Sequence, residues 1–209
     1  MKPAPWAFGV VLGCLGACAP EPPSAPALPA RSYTCVLRPL ATLGPDFSAR
    51  QHVVASGHGR SGGFDAVLQK KGDTLVLVGL VAGVRAFVLK EAGERISFDQ
   101  SLGPRMPFPP EYAVIDIHRV YWKHLPRAAD APPTGILEGE LDGEAVREVW
   151  SNGNLVERRF SRPGEFEGAV RIEYGAGCTA ARCLPVSVRI ENEWFGYTVQ
   201  IDNREITLL

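Results

Sequence analysis

The sequence predicts a mainly β domain: a strongly curved antiparallel sheet, or partly closed barrel, of about ten or eleven strands with one helix. Three observations predict it. Short runs with period-2 alternation recur along the chain, as in Phe64–Gln69, Val170–Tyr174, Val186–Ile190 and Tyr197–Ile201. They are joined by hairpin signals such as Asp142-Gly143 and Asn152-Gly153. Only one segment, Pro110–Leu125, carries helical periodicity.

The centre of the pattern is Phe64–Phe98. In Phe64–Gln69, Phe64, Ala66 and Leu68 share one face. Thr74–Val81 is apolar on both faces, and Arg85–Lys90 and Arg95–Phe98 follow with Phe87, Leu89, Ile96 and Phe98. Lys70-Lys71-Gly72-Asp73 and Glu91-Ala92-Gly93-Glu94 suit the links of a meander. So much apolar surface predicts a cover. The helix supplies it: Val114, Ile117, His118, Tyr121 and Leu125 form a stripe flanked by Ile115 and Trp122, with Asp116, Arg119 and Lys123 assigned to the opposite, solvated side. Pro110 and Glu111 suit its first turn and Pro126 its stop. His118 is expected to be a buried histidine bonded to a backbone or tyrosine oxygen.

Before the sheet, Lys2, the apolar run Trp6–Ala17 and Leu15-Gly16-Ala17-Cys18 describe a signal peptide over 1–17 ending in a lipobox, with Cys18 as the lipid anchor. Val11-Leu12-Gly13-Cys14 is a second candidate. The run is too short for the ~20 residues of a membrane span. Residues 18–31 hold Pro20, Pro22, Pro23, Pro26 and Pro29, a tether that at ~3.1 Å per residue reaches ~30–40 Å. A single domain then runs over 32–209, opening with an edge strand at Tyr33–Leu37. Ala19 after the cysteine follows the sorting pattern of outer-membrane lipoproteins, which predicts a periplasm-facing domain.

The chain has 209 residues, 45% hydrophobic and 22% charged, with a formal net charge of −1. That gives no electrostatic reason to expect nucleic acid, which calls for a concentrated basic face, and charge leaves the partner open. Gly59-Arg60-Ser61-Gly62-Gly63 matches the G-x-S-x-G of a hydrolase elbow, which needs a strand before Ser61 and a helix after it. The residues after Ser61 alternate as a strand, so the glycine-rich Gly57–Gly63 is expected to be a turn and the protein not an enzyme. His52 and His58 sit too far apart along a strand to share a metal, and no metal or cofactor is predicted. Arg158, Arg159 and Arg162 are expected to form a solvated edge. Cys178 and Cys183 have a spacing that suits a disulfide in an exported loop, leaving Cys35 unpaired or competing for one of them.

Several stretches resemble, in order, a family of bacterial lipoproteins of unknown function: Phe64–Gln69, Thr74–Leu80 with Ala86-Phe87, Pro107-Phe108-Pro109-Pro110-Glu111-Tyr112 and Trp194-Phe195-Gly196-Tyr197. That family is similar in architecture to the LolA/LolB lipoprotein carriers. The resemblance covers about 35–205 and implies an unclosed β-barrel with a helical plug and an apolar cavity for a lipid, acyl or polyene chain. Leu75, Leu77, Phe87, Leu89 and Phe98 are the expected cavity residues, with Val114, Ile117 and Tyr121 as the lid. The expected partners are a lipid or acyl chain, the membrane through the anchor and a protein of the cell envelope, for a monomeric domain. The alternative is an interaction lipoprotein with a filled core, recruiting a partner through an exposed Trp194-Phe195 tip.

Overall fold

Eleven strands form one antiparallel meander in the computed structural model, which describes residues 36–102, 109–127 and 132–209. All of these fall in the compact unit Tyr33–Leu209. The strands are β1 (Phe47–Gly57), β2 (Arg60–Lys71), β3 (Thr74–Val81), β4 (Val84–Ala92), β5 (Arg95–Gln100), β6 (Gly135–Leu141), β7 (Glu144–Ser151), β8 (Asn154–Ser161), β9 (Val170–Tyr174), β10 (Ser187–Asn192) and β11 (Tyr197–Leu208). Their order is β5-β4-β3-β2-β1-β11-β10-β9-β8-β7-β6. The first and last strands therefore pair at the centre, and among the described residues β5 and β6 remain as unpaired edges. Helix α1 (Pro110–Tyr121) lies in the chain between those two edges. This is an unclosed barrel with a helical plug, the class expected from the sequence.

Local chemistry explains the meander. Four two-residue turns place both central residues at positive φ: His58-Gly59, Ala82-Gly83, Asp142-Gly143 and Asn152-Gly153. That is the geometry whose twist matches flanking strands. The Gly57–Gly63 stretch, expected as a turn, is shorter in that role. Only His58-Gly59 turns, while Ser61, Gly62 and Gly63 pair with Ser56, Ala55 and Val54 inside the hairpin. Ser61 is thus an exposed strand residue with no helix behind it. The expected strand at Tyr33–Leu37 is also corrected where it can be seen: Val36 and Leu37 are irregular, and a 3-10 turn follows at Leu40–Thr42. The expected anchor Cys18, its alternative Cys14, the expected tether and Cys35 lie outside the described residues.

The concave face carries the core. Phe47, Ala49, Val53 and Ala55 of β1, Ala66 and Leu68 of β2, Leu75 and Leu77 of β3, and Phe87 and Leu89 of β4 are buried against α1. The opposite face of β2–β4, expected to need a cover, is only half buried and is held by cross-strand contact. Val67, Val78 and Val88 stand in one row across the three strands. Gly79 has a specific reason to be glycine. A Cβ there would come within 2.1 Å of the Phe87 ring, which lies across the strand and meets Phe64 at 5.2 Å and Phe98 at 5.7 Å. Gly79→Ala is therefore expected to destabilise the protein by about 1–3 kcal/mol, the range for overpacking. Combining it with Phe87→Leu should recover part of that loss, checked by chemical denaturation of the single and double variants.

Candidate functional site

Helix α1 is enclosed on every side over its last two turns. Val114 through Tyr121 are all buried, including the polar residues that periodicity assigned to solvent: Asp116 is 3% exposed, Arg119 1%, and Lys123 just past the helix 0%. The correction has a physical cause. The sheet curls around the helix, and its β6–β9 half turns charged side chains inward to meet the helix's polar face. On β7, alternation puts Glu144, Val146, Glu148 and Trp150 on the inner side. On β8, the pairing jumps from Val149↔Glu157 to Trp150↔Leu155, so Val156 is an extra residue. That bulge turns Arg158 inward and leaves Arg159 exposed. The expected solvated spot Arg158–Arg162 is thus split: Arg158 is buried, Arg159 is outside, and Arg162 reaches back to Glu144 at 3.4 Å.

Arg119 is the hub of the inward charges. Its guanidinium donates to Asp116 Oδ1 at 3.1 Å and to Glu144 Oε1 at 2.6 Å, and lies 5.2 Å and 5.0 Å from the Phe160 and Trp194 ring centroids. Lys123 Nζ is 3.3 Å from Asp142 and 4.0 Å from Glu144. A second group centres on Glu148, which accepts from Arg158 Nε at 2.8 Å, Trp150 Nε1 at 3.2 Å and the Leu125 backbone N–H at 3.2 Å. That last bond, with Trp122 and Lys123 N–H both closing onto His118 O, ends α1 at Tyr121, well before Pro126. On the β4 side, His118 Nε2 meets both oxygens of Glu91 at 3.1 Å and 2.9 Å. Its partner is a carboxylate, rather than the backbone or tyrosine oxygen expected.

Asp116 is the odd member of this network. Burial pushes its carboxyl up to about 7, and Glu144 adds to the rise, while the Tyr197 hydroxyl donating at 2.5 Å works against it. Arg119 also favours the carboxylate, but Glu144 holds that guanidinium more closely. Burial likewise raises Tyr121 to about 12, against hydrogen bonds from Asn203 and Gln51.

The other side of α1 faces an apolar pocket of about 70 Å³. It is lined by Val53, Ala55, Phe64, Leu68, Leu77, Ile190, Val199 and Ile201 from the sheet and Ala113, Ile117, Val120 and Tyr121 from the helix, with Gln51 and Asp116 as its polar members. Of the eight expected cavity residues, Leu77, Ile117 and Tyr121 line it. Leu75, Phe87, Leu89 and Val114 are buried in the surrounding core, and Phe98 packs on Phe87. The β1 and β10–β11 contributions were missed because the cavity lies under the middle of the sheet, where β1 meets β11. That pairing of the chain's first and last strands leaves no local signal.

Trp194 and Phe195 do not form an exposed tip. Phe195 stacks on Tyr112 at 4.1 Å and Trp194 on Phe166 at 5.0 Å, so the β10–β11 turn covers the start of α1. Cys178 and Cys183 are joined in a disulfide in the loop between β9 and β10. Among the described residues, no group of three or more His, Cys, Asp or Glu is placed to hold a metal ion, and no helix is long and apolar enough to cross a membrane.

A family profile described as "Protein of unknown function (DUF3261)" matches residues 48–205. No curated protein matches the chain. Among solved structures, the chain is similar to a LolA superfamily protein from Nitrosomonas europaea, with 11% identity, 79% of this chain and 86% of that one covered, and a TM-score of 0.44. It is similar to a provisionally named outer membrane lipoprotein-sorting protein domain from Vibrio parahaemolyticus (11% identity, 78% and 85% covered, TM-score 0.44). It is also similar to a DUF1329 family protein from Desulfovibrio piger (12% identity, 81% and 87% covered, TM-score 0.41).

Two outcomes follow from the buried charges. Asp116 keeps its proton in the folded state up to about pH 7 but loses it near 4 when unfolded, so it makes stability fall as pH rises between those values. Relative to Asp116→Asn, the wild type should lose at most about 4 kcal/mol over that window and nothing further above it, measured by denaturant titration at several pH values. Glu148→Ala strands three donors and should cost about 3–5 kcal/mol. Glu157→Ala, on the outer face beside Arg171, should cost about 1 kcal/mol or less in the same assay.

Proposed function

The chain belongs to the DUF3261 family of proteins of unknown function, and we propose that it is a non-catalytic lipoprotein that holds a lipid, acyl or polyene chain between α1 and the apolar half of its sheet. The observation that carries this reading is the pocket under α1, walled by side chains that are nearly all apolar, inside a sheet whose edges β5 and β6 are not joined. Its volume of about 70 Å³ is well below the about 300–1,000 Å³ usual for a small-molecule site. A long chain therefore enters by displacing α1 from β1–β3. The helix is suited to that movement, because its contacts on that side are mostly apolar and non-directional, His118–Glu91 and Tyr121–Gln51 excepted, while the Arg119 and Arg158 bonds lie on the other. Each methylene buried contributes ~0.8 kcal/mol, so the guest needs no polar partner within the pocket. Leu77, Ile117 and Tyr121 are the contact residues, with Leu75, Phe87, Leu89, Phe98 and Val114 as the wall behind them.

The same reading takes Cys18 as the lipidated residue, 18–31 as a tether and 32–209 as the domain facing the periplasm from the outer membrane. It rests on the lipobox Leu15-Gly16-Ala17-Cys18. A filled-core interaction lipoprotein is the second reading, and the small volume of the pocket favours it.

Native mass spectrometry separates the two. Residues 33–209, exported to a bacterial periplasm and purified without detergent, should carry an adduct of lipid mass. Val199→Phe, which fills the pocket without adding charge, should lose the adduct with an unchanged circular dichroism spectrum. A clean apo mass, with no uptake of a fluorescent fatty acid, would favour the filled core.

A further inference from the structure

At the C-terminal end of α1 lies a larger cavity of about 360 Å³, walled by the chain following the helix, the Leu40–Thr42 turn region and the disulfide loop. Its volume falls in the range of small-molecule sites, about 300–1,000 Å³. Among its described lining residues are five basic side chains, Arg38, His124, Arg127, Arg158 and Arg182, and no carboxylate. A concave wall carrying one sign of charge concentrates the field that attracts the opposite sign.

Two of the five have acidic partners behind the wall: Arg38 is 3.7 Å from Asp142, and Arg158 Nε donates to Glu148. The remaining capacity faces inward. Arg158 is 1% exposed, and while its Nε and Nη1 are bonded, its Nη2 has no acceptor among the described residues. Arg127 donates to the Pro132 carbonyl and stacks over the Trp150 indole at 4.4 Å. Neither the Arg182 guanidinium nor the His124 imidazole has a carboxylate within ion-pair distance among the described residues. A helix C-terminus would ordinarily repel an anion. Here its last carbonyls are already occupied as acceptors: Arg158 Nη1 donates to Arg119 O at 2.6 Å and the Tyr174 hydroxyl donates to Val120 O at 3.2 Å. His124 feels the resulting field, its imidazolium disfavoured first by desolvation and then by Arg158 and Arg38, against the opposing pull of Glu148.

We propose that this cavity binds an oxyanion, a phosphate or carboxylate, presented free or as the head group of an amphiphile. Phe47, Tyr121, Trp122 and Trp150 give it apolar surface beside the charges. Tyr121 also lines the pocket under α1, so a head group here sets its chain beside the Tyr121 wall of that pocket. The amphiphile arm rests on the acyl-binding reading, and the free-anion arm does not.

The test uses the full chain in nanodiscs of zwitterionic lipid, with the His124 ring resonances followed by NMR. The probes are inorganic phosphate and, separately, lysophosphatidate. Saturable shifts and a raised His124 pKa on binding are expected, because a bound anion stabilises the imidazolium. Arg182→Glu, at an exposed position, should weaken binding about tenfold or more, and Arg127→Glu should do the same. Tighter binding of lysophosphatidate than of phosphate identifies a head-group site, and equal binding identifies a free-anion site. The inference is overturned if neither probe moves His124, or if both charge reversals leave binding unchanged. Phosphate binding with no lipid adduct on the protein would sustain it while the acyl reading fails.

Discussion

Arg119 sits in the middle of the protein, 1% exposed, with Asp116 on its own helix and Glu144 on β7 as acceptors. A buried guanidinium is tolerated only when its charge is met by good geometry, and removing a partner leaves an uncompensated charge. That requirement fixes several things at once. It sets which face of α1 looks toward β7 and β8. It demands that β7 present acids on its inner side, and that β8 carry its bulge at Val156 so that Arg158 can join Glu148 behind it. The plug is therefore oriented by electrostatics, with apolar packing filling the opposite side.

The interior is consequently divided. Toward β6–β9, α1 is held by hydrogen bonds and ion pairs with defined directions. Toward β1–β4 it rests mainly on Val53, Leu68, Leu77 and their neighbours, with His118–Glu91 and Tyr121–Gln51 as polar contacts near its C-terminal end. Apolar contacts tolerate sliding and repacking in a way that ion pairs do not. If the sheet opens, the separation that leaves the Arg119 and Arg158 pairs intact is the one along the apolar side, where the pocket already lies and where only His118–Glu91 and Tyr121–Gln51 would part.

Much of the fold was legible because hairpin chemistry is local. Asp142-Gly143 and Asn152-Gly153 announce their turns, and the alternation of Val170, Ile172 and Tyr174 announces a strand with one buried face. The helix was legible too, but not its surroundings. Periodicity separates polar from apolar faces, and a polar face normally means water. Here it means a second wall, and the complementary acids Glu144 and Glu148 look like ordinary alternating strand residues. Arg158 was hidden for a different reason: a single extra residue reverses the inside and outside of everything after it. The expected cavity residues came from β3–β5 and α1, and those from β1, β10 and β11 that line the pocket under α1 were not legible because β11 joins β1 from the far end of the chain.

The position of the basic cavity gives this division a consequence. It opens at the end of α1 where the helix leaves the ionic wall, and it is bounded by the disulfide loop, whose ends are held by the Cys178–Cys183 bond. Tyr121 stands between the charged cavity and the apolar pocket, its hydroxyl accepting from Gln51 and its ring 5.4 Å from Phe47. An amphiphile needs such an ordered pair of environments, with charge outside and hydrocarbon within. A filled core would need neither a wall whose described residues are basic and carry no carboxylate nor an aromatic placed at the junction, so the two cavities bear on one question when taken together.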